Sequence, residues 1–315
     1  MIVVNYDGMS HLDACISSVL KQSYANFEVI LVDNNSSDGS LEYARSKFPN
    51  LVFVVNDENL GYAGGINSGL AYATGDYIAP LNMDTEVAPN WLGAMVAFLD
   101  ENPQAGAITP KVLLFDDRTK INTMGLNIHI TGLSFCRGLG KKDDNSVIPE
   151  RVPGLSGCSY LIRRQLLEQM GGAPGWCFIG DDIIISWLLR LMGHEIYCLP
   201  KSIVFHKYSL KVNPEKLLRL EKNRHTLLLS TLKPSTLLVC LPIFLVIELM
   251  ILVYNLGKGP PYIRAKFDAL TSLWRERSNI KQKRAQYQAL RKVSDLTLLR
   301  RLNWNLAWDQ LWGIR

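Results

Sequence analysis

The feature that most constrains this fold is an alternation of strand and helix signals over roughly the first hundred residues. Apolar runs typical of strands occur at residues 2–5, 27–32, 51–55 and 76–81. Apolar residues recur at helical spacing between the first two runs and, more weakly, between the next two. Strands separated by helices predict βαβ units, and hence a mostly parallel sheet with helices on both faces. Ligands of such sheets bind at the carboxyl ends of the strands.

The rest of the chain changes character. Residues 106–212 carry shorter β-like runs and one helical segment, which we interpret as the second half of a domain whose first half is residues 1–105. Residues 213–315 are leucine-rich and helical, with breaks at prolines and glycines. The sequence therefore predicts an α/β domain over residues 1–212, followed by a helical region.

Composition excludes several classes of protein. Of 315 residues, 48% are hydrophobic and the net charge is only +5, which excludes general disorder. A single stretch approaches the length of a transmembrane helix, which excludes a polytopic membrane protein. The 6 cysteines include no CxxC pair, so neither a disulfide framework nor a cysteine zinc site is indicated. Because a strand-like run opens the sequence in place of a signal peptide, we expect the first domain to fold in a reducing cytosol.

Three polar clusters follow strands of the first half. Asp33, at the end of the second strand, is placed to recognise a base or a ribose, although an ordinary strand-end turn explains the same residues. The glycines of residues 59–69 allow close approach of a phosphate-bearing ligand ahead of a helix N-terminus, or only a tight connection. Asn82 and Asp84 are spaced to turn oxygen ligands toward a hard divalent cation, although isolated Asn-x-Asp triplets are common.

Two further signals lie in the second half. Asp181 and Asp182 open an apolar helix, where adjacent acids either complement the helix dipole or supply a general base. His206 ends a short strand, where a lone histidine is either structural or a metal ligand.

Taken in order, these segments resemble glycosyltransferase family 2, inverting enzymes of the GT-A fold, and in particular its rhamnosyltransferase-like branch that acts on bacterial polysaccharides. The resemblance covers about residues 1–210. The segments that carry it read Val-Val-Asn-Tyr-Asp-Gly (3–8), Val-Asp-Asn-Asn-Ser-Ser-Asp-Gly-Ser (32–40), Gly-Tyr-Ala-Gly-Gly-Ile-Asn (61–67) and Leu-Asn-Met-Asp-Thr (81–85).

Two segments depart from the pattern of that branch. Residues 181–187 read Asp-Asp-Ile-Ile-Ile-Ser-Trp, so that Asp182 falls on the family's base and Ile184 on its second acidic position. Residues 171–174 read Gly-Gly-Ala-Pro where the branch has Gly-Gly-Phe-Asp. The base is retained, whereas the surroundings of the acceptor are altered.

The resemblance implies a role for each of these residues. Asp182 is the implied catalytic base, and Mg²⁺ or Mn²⁺ is the implied cofactor. The implied donor nucleotide site comprises Tyr6, Asp33, Gly64, Gly65 and Asn67, the implied metal ligands are Asp84, His206 and Asn82, and the implied acceptor site comprises Asp181 and Trp187.

The implied function is metal-dependent, inverting transfer of a sugar from a nucleotide-sugar to a hydroxyl of a lipid-linked or cell-surface glycan, with rhamnosyl transfer as one form. Two alternatives stay open. A glycosyltransferase-like scaffold without turnover is one, because Ile184 replaces an acid. A nucleotidyltransferase is the other, although the N-terminal part has no basic signature loop.

The end of the chain predicts contact with a membrane. Residues 237–254 form an apolar stretch interrupted only by Pro242 and Glu248, and about 20 apolar residues are needed to cross a bilayer. Residues 258–315 hold 13 Lys/Arg against 4 Asp/Glu. Crossing would place this basic tail opposite a cytosolic domain, against the positive-inside tendency. We therefore expect residues 237–315 to associate with anionic lipid at the cytoplasmic face of the cell membrane.

The tryptophans of the tail suggest how it would be anchored. Trp304, Trp308 and Trp312 recur every four residues, which predicts a shared helix face at the membrane interface. Ordinary packing of these helices on the first domain or in a dimer is the alternative. The interleaved leucines and tryptophans favour lipid over nucleic acid as the partner of the tail.

Overall fold

A computed structural model describes residues 1–208 and 212–313, which form two compact units. Among the described residues, the first unit comprises 1–127, 136–189 and 194–208, and the second comprises 128–135, 190–193 and 212–313. A division at residue 212 therefore misses two short segments, 128–135 and 190–193, that belong to the helical unit.

The strands and helices alternate early in the chain and give way to helices late. The strands are β1 (Ile2–Asn5), β2 (Ile30–Asp33), β3 (Val52–Val55), β4 (Tyr77–Ile78), β5 (Pro80–Asn82), β6 (Thr85–Val87), β7 (Ala105–Leu114), β8 (Ile121–Thr123), β9 (Leu126–Ile128), β10 (Ser134–Cys136), β11 (Glu150–Arg151), β12 (Leu161–Arg163) and β13 (Glu195–His206). The helices are α1 (Leu12–Leu20), α2 (Ser40–Lys47), α3 (Gly61–Leu70), α4 (Trp91–Glu101), α5 (Arg164–Gln169), α6 (Asp181–Leu191), α7 (Pro214–Thr231), α8 (Pro234–Val239), α9 (Leu241–Lys258), α10 (Pro260–Arg275), α11 (Arg277–Leu290), α12 (Asp295–Arg300) and α13 (Trp308–Gly313).

A four-stranded parallel sheet, in the order β3-β2-β1-β5, organises the first half of this α/β unit. Asn5 lies opposite Asp33, and Val4 lies opposite Asn82. Because the strands are parallel, their carboxyl ends share one edge of the sheet. The predicted parallel sheet is confirmed, and the residues that follow its strands meet at that edge.

A second, mixed sheet has the order β11-β13-β7-β12-β4, with β6 paired to β13 and β8 to β7. Its longest pairing is the parallel one between β7 and β13. The sequence predicts two short strands in the place of β13, whereas the structure has one strand with a register shift between Leu199 and Ile203. Pro200 lies within this shift, where a bulge accommodates a residue that lacks an N–H donor.

The glycine motif forms a helix, α3, that lies close to the parallel sheet. A β-carbon placed on Gly65 would stand 2.6 Å from Cγ1 of Val4, and one on Gly69 would stand 2.7 Å from Cγ2 of Ile2. Both separations are far below a van der Waals contact, so side chains at these positions would push the helix off β1. The glycines that the sequence places ahead of a helix therefore lie within it.

The helical unit is built mainly from α7, α9, α10 and α11, with α7 packed on α10 and α11 and α9 packed on α10. The apolar stretch of residues 237–254 is not one helix, since it divides at Cys240 between α8 and α9. Among the described residues, α9 is the one helix long and apolar enough to cross a membrane. Only Ile247, Ile251 and Asn255 of its residues are buried.

The tryptophan prediction is wrong in one respect. Trp304 precedes α13 and lies outside any helix, so it does not share a helix face with Trp308. Both side chains are about half exposed. The side chain of Trp312 lies outside the part of the chain that can be described.

Candidate functional site

Side chains join the carboxyl ends of β1 and β2. Asn5 donates through Nδ2 to Oδ1 of Asp33 at 2.8 Å and to the hydroxyl of Ser40 at 2.8 Å. The other carboxylate oxygen of Asp33 accepts from the backbone N–H of Ser36 at 3.0 Å. Asp33 is only 1% exposed. Each oxygen retains capacity to accept a second hydrogen bond, but the burial of Asp33 means that a base N–H would reach it only if the surrounding loops open.

The loop after β1 presents Tyr6 at the same edge, with 45% of its surface exposed. Asp7 accepts from the backbone N–H of Ser37 at 2.8 Å, which ties this loop to the loop after β2. On its other side, a β-carbon on Gly8 would collide with the sulfur of Met83. Tyr6 therefore stands on a loop that packs against both neighbouring loops.

The donor residues predicted from the glycine motif differ in their surroundings. Gly65 is buried against β1, whereas Gly64 is partly exposed. Asn67 donates through Nδ2 to the carbonyl oxygen of Ala173 at 2.8 Å and accepts from the N–H of Ala173 at 2.7 Å. The Asn67 amide is thus occupied by the loop that precedes α6, and its contact with a donor stays a prediction.

Asp84 and His206 come together although 122 positions separate them. His206 ends β13 opposite Thr85 of β6, which places its Nε2 3.4 Å from Oδ1 of Asp84. Its Nδ1 lies 2.9 Å from Oδ1 of Asn122. A ring that holds its proton on Nδ1 toward this acceptor can offer the lone pair of Nε2 to a ligand beside Asp84.

This arrangement fits a hard divalent cation. Oδ1 of Asp84 is buried and has no hydrogen-bond partner among the described residues. Two ligand atoms at right angles, each about 2.1 Å from an octahedral Mg²⁺, are separated by roughly 3 Å. A carboxylate oxygen and an imidazole lone pair at 3.4 Å therefore have a spacing that one ion can bridge. Asn82 ends β5, and its carbonyl accepts from the Thr85 hydroxyl at 2.6 Å, which closes the turn that carries Asp84.

Cationic groups gather around Asp84. Burial alone would raise the pKa of Asp84, but its interaction with His206 and the charge of His11 lower it below its ordinary value. Lys207 donates its backbone N–H to the carbonyl oxygen of Asp84 at 3.0 Å, and its Nζ lies 3.1 Å from Nδ1 of His11. Asp84 is therefore ionised at neutral pH in a locally positive setting.

Asp182 is the second residue of α6, and each of its carboxylate oxygens accepts a hydrogen bond from a backbone N–H. Oδ2 accepts from the N–H of Gly157 at 2.9 Å, and Oδ1 accepts from the N–H of Ile183 at 2.9 Å. Burial nevertheless raises the pKa of Asp182 above its ordinary value. Burial, followed by the charge of Asp182, raises the pKa of Asp181 as well, and Oδ2 of Asp181 has no partner among the described residues. A carboxylate with a raised pKa is a stronger base near neutral pH.

One short segment links the cation site to Asp182. Cys158 accepts through its carbonyl from the N–H of Asn82 at 2.9 Å, and its neighbour Gly157 donates to Asp182. Burial raises the pKa of the Cys158 thiol to about 12, and the charges of Asp84 and Asp182 add to this effect. Residues 157 and 158 therefore connect Asp182 to the end of β5, two residues before Asp84.

The residues predicted for the acceptor site are buried. Trp187 is 0% exposed and Ile184 is 1% exposed, so both are core residues of α6. Asp181 is 4% exposed. In this structure Trp187 packs in the core of the first unit, and contact of Trp187 or Asp181 with an acceptor stays a prediction.

Sequence reasoning missed three residues of the site. Asn122 orients His206 from a strand 84 positions away, and Gly157 supplies the N–H that holds Asp182. No local pattern marks either of them. Lys207 lies beside His206 in the sequence, and this adjacency is the one signal that could have identified it.

Comparison with known proteins identifies the family of the chain. A family model described as glycosyl transferase family 2 matches residues 1–171, more than half of the chain. The chain is similar to a poly-beta-1,6-N-acetyl-D-glucosamine synthase of Staphylococcus epidermidis, at 27% identity over 213 residues that cover 62% of this chain and 49% of the synthase. The corresponding synthase of Staphylococcus aureus is 26% identical over 204 residues, covering 63% and 47%. The chain thus spans about half the length of the curated relatives it matches.

Solved structures share the fold. S. aureus TarS 1–349 in complex with UDP-GlcNAc has a TM-score of 0.58 at 19% identity, covering 92% of this chain and 88% of TarS 1–349. The mannosyltransferase PcManGT from Pyrobaculum calidifontis, in complex with GDP-Man and Mn²⁺, has a TM-score of 0.54 at 18% identity, covering 100% and 87%. At these identities the likeness concerns the fold alone, which is GT-A-like. With its parallel sheet, its ordered motifs and a family match over more than half its length, the chain belongs to glycosyltransferase family 2.

Proposed function

We propose that the protein is an inverting, metal-dependent glycosyltransferase that moves a sugar from a nucleotide-sugar to a hydroxyl of a lipid-linked or cell-surface glycan. The observation that supports this proposal is the pairing of Asp84 with His206 beside the segment 157–158, which bonds to Asn82 at the end of β5 on one side and to Asp182 on the other. Their chemistry matches the needs of the reaction, a cation ligand pair beside a raised-pKa base.

In this proposal the donor lies along the edge formed by the first strands. Tyr6 packs on the base of the nucleotide, and the loops after β1 and β2, fixed by Asn5 and Asp33, position it. The start of α3 with Gly64 and Gly65 lies beside the phosphates. Asp84 and His206, with Asn82, hold Mg²⁺ or Mn²⁺, which when bound stabilises charge on the leaving diphosphate.

Asp182 carries the proton transfer. Its carboxylate removes the proton of the acceptor hydroxyl, and the oxygen attacks the anomeric carbon from the face opposite the diphosphate. The bond from that carbon to the diphosphate oxygen breaks, and the nucleoside diphosphate leaves with the electron pair. Gly157 holds the carboxylate in place through its N–H. General-base assistance of this kind contributes on the order of 10²–10⁴ in rate.

The donor sugar and the place where the protein acts are finer assignments, which rest on the resemblance to the family branch and on the similar proteins. We propose a hexosyl or deoxyhexosyl donor, with rhamnose as the sugar that the similar family branch suggests. We also propose that residues 237–315 contact the cytoplasmic face of the cell membrane, where a lipid-linked acceptor would be found. The buried Ile184 in the second acidic position of the family motif favours one competing function, a scaffold that binds donor without turnover.

The test is a donor panel on the purified full chain. UDP-, GDP- and dTDP-linked sugars, dTDP-rhamnose included, are incubated with Mn²⁺, Mg²⁺ or EDTA, with and without membrane extract, and released nucleoside diphosphate is measured. We expect metal-dependent release that rises with extract and falls in Asp84→Asn. Nucleotide binding without release would support the scaffold, and pyrophosphate release from a nucleoside triphosphate would support a nucleotidyltransferase. Full release in EDTA would reject the metal assignment.

A further inference from the structure

The apolar helix α9 carries a single acidic residue, Glu248, near its middle. Arg224 of α7 places Nη2 2.5 Å from one carboxylate oxygen of Glu248, and Lys266 of α10 places Nζ 2.5 Å from the other. Both cationic side chains are only 4% exposed. The Glu248 side chain is 26% exposed, so partly buried ion pairs fasten the middle of α9 to two neighbouring helices.

A second carboxylate completes this cluster. Glu221 accepts from Nη2 of Arg224 at 2.8 Å and also pairs with Lys266. Glu221, Arg224, Glu248 and Lys266, which we call the charge cluster, thus contain two carboxylates and two cations in mutual contact. Glu221, Glu248 and the nearby His225 are spaced like metal ligands. Because Arg224 and Lys266 already engage both carboxylates, we assign no metal here.

The outer side of α8 and α9 is apolar and open. Leu238 and Val239 are 71% and 78% exposed, and Leu245 and Leu249 are 58% and 62% exposed. On α10, Trp274 is 71% exposed. Contiguous exposed apolar residues of this kind mark an interaction surface in a folded protein. The helices that follow α9 carry a net positive charge, because residues 258–315 contain 13 Lys/Arg and 4 Asp/Glu.

These observations separate two ways of meeting a bilayer. If α9 crossed it, Glu248 would lie near the bilayer centre, and the charge cluster would bring α7 and α10 to the same depth. These helices carry the exposed charges of Glu215 and Arg264 and the partly exposed charge of Lys222, which are costly in hydrocarbon. If α9 lies along the surface, the charge cluster stays on the protein side and only the apolar side meets lipid.

We propose that α9 lies in one leaflet without crossing it, with Leu245 and Leu249 among the chains of anionic lipids and with the charge cluster preventing insertion across the bilayer. The basic surplus of the tail complements the lipid head groups. This inference rests on the membrane contact proposed above, and it is independent of the donor chemistry.

The topology is tested by labelling on the two sides of α9. Ser235 and Lys258 flank the apolar stretch, and both are exposed. Ser235→Cys and Lys258→Cys are made in the full chain, and inside-out membrane vesicles from expressing cells are treated with an impermeant maleimide, with the unsubstituted chain as background. We expect both positions to react equally without detergent. Reaction of one position only, with the other appearing after detergent, would overturn the proposal.

The lipid surface is tested by vesicle flotation. Leu249→Asp is compared with Leu20→Asp, which places the same change on an exposed leucine of the first unit. We expect Leu249→Asp to lower binding to phosphatidylcholine–phosphatidylglycerol vesicles at least tenfold and Leu20→Asp to leave it unchanged. Equal binding of the unsubstituted chain to pure phosphatidylcholine, or loss of self-association without loss of flotation in Leu249→Asp, would contradict the anionic-leaflet assignment. Nucleotide binding, measured in parallel, separates this outcome from failure of the donor site.

Discussion

The two units of this protein bury carboxylates in opposite ways. Asp181 and Asp182 lie together at the start of α6, where Asp182 accepts from two backbone N–H groups and Oδ2 of Asp181 has no partner among the described residues. Glu221 and Glu248 instead contact Arg224 and Lys266 directly. Burial without a nearby cation raises the pKa of an acid and favours its protonated form. An acid that is paired with cations stays ionised and holds its helix against the neighbouring helices. We therefore interpret the two acids of α6 as functional groups, and Glu221 and Glu248 as structural ones.

The pKa values follow this division. Burial raises the pKa of both Asp181 and Asp182. Burial would also raise the pKa of Glu221, but the charge of Arg224 and its hydrogen bond, together with the charge of Lys266, lower it to about 2. Perturbation by burial in a cleft is typical of functional groups, and perturbation by ion pairing is typical of structural ones.

The largest expected effect comes from removing the charge of Asp182. Asp182→Asn keeps the hydrogen bond from Gly157 but cannot accept a proton, so we expect the transfer rate to fall about 10²–10⁴-fold while nucleotide binding persists. Single-turnover kinetics measure the transfer rate, and calorimetric titration with the nucleoside diphosphate measures nucleotide binding. A variant with the full transfer rate would remove Asp182 from the base role.

The charge cluster should respond in stability. Arg224→Met leaves Glu221 paired with Lys266, and Glu248 paired with Lys266 and His225. Loss of one partner from a buried ion pair costs about 3–5 kcal/mol in the free energy of unfolding. Arg219→Met on the same helix is the matched control. It breaks an exposed pair with Glu215, for which we expect at most about 1 kcal/mol. Equal losses in urea unfolding of the two variants would contradict the architectural role.

The pH dependence of stability should differ between the two kinds of acid. Because the pKa values of Asp181 and Asp182 are raised in the folded state, the folded protein binds more protons than the unfolded chain, and the pair costs stability as pH rises through the raised values. We expect the double variant Asp181→Asn/Asp182→Asn to gain stability over the unsubstituted protein between pH 5 and pH 8, by more than about 1.4 kcal/mol, the value of one pKa unit. Thermal melts across that range measure the difference in stability between the two proteins. A difference that stays constant with pH would contradict the raised pKa values of Asp181 and Asp182.

The smallest expected effect is that of Asp181→Asn alone. Removing a like charge beside Asp182 makes ionisation of Asp182 easier, so we expect the acidic limb of the pH–rate profile to move down by less than about one pH unit. The maximal rate should stay within an order of magnitude. Loss of activity at every pH would instead place Asp181 in direct contact with the substrate.

Local patterns predict the first strands well because each is a compact apolar run ended by polar residues. The sequence predicts β1 at its observed bounds, and β2 within a few residues. The pairing of Asp84 with His206, and of His206 with Asn122, depends on the registers of β6, β8 and β13, which no local pattern encodes. The same limit explains Trp187, since an apolar helix has the same sequence whether its tryptophan faces a ligand or the core.

The helices that contact α9 cannot be predicted from local sequence patterns either. Glu248 reads in the sequence as an interruption of an apolar stretch, and its partners Arg224 and Lys266 come from two other helices. The sequence alone therefore leaves open whether the stretch crosses a bilayer, and the contacts of Glu248 are the observation from which we propose that it does not.

The double hydrogen bond between Asn67 and Ala173 has a mechanical consequence. The amide of Asn67 bonds to both backbone groups of a residue 106 positions later, so these two bonds couple α3 to the chain that leads into Asp181. Under the proposed function, a substitution that moves α3 on the donor side would therefore also move the chain before Asp181 on the acceptor side.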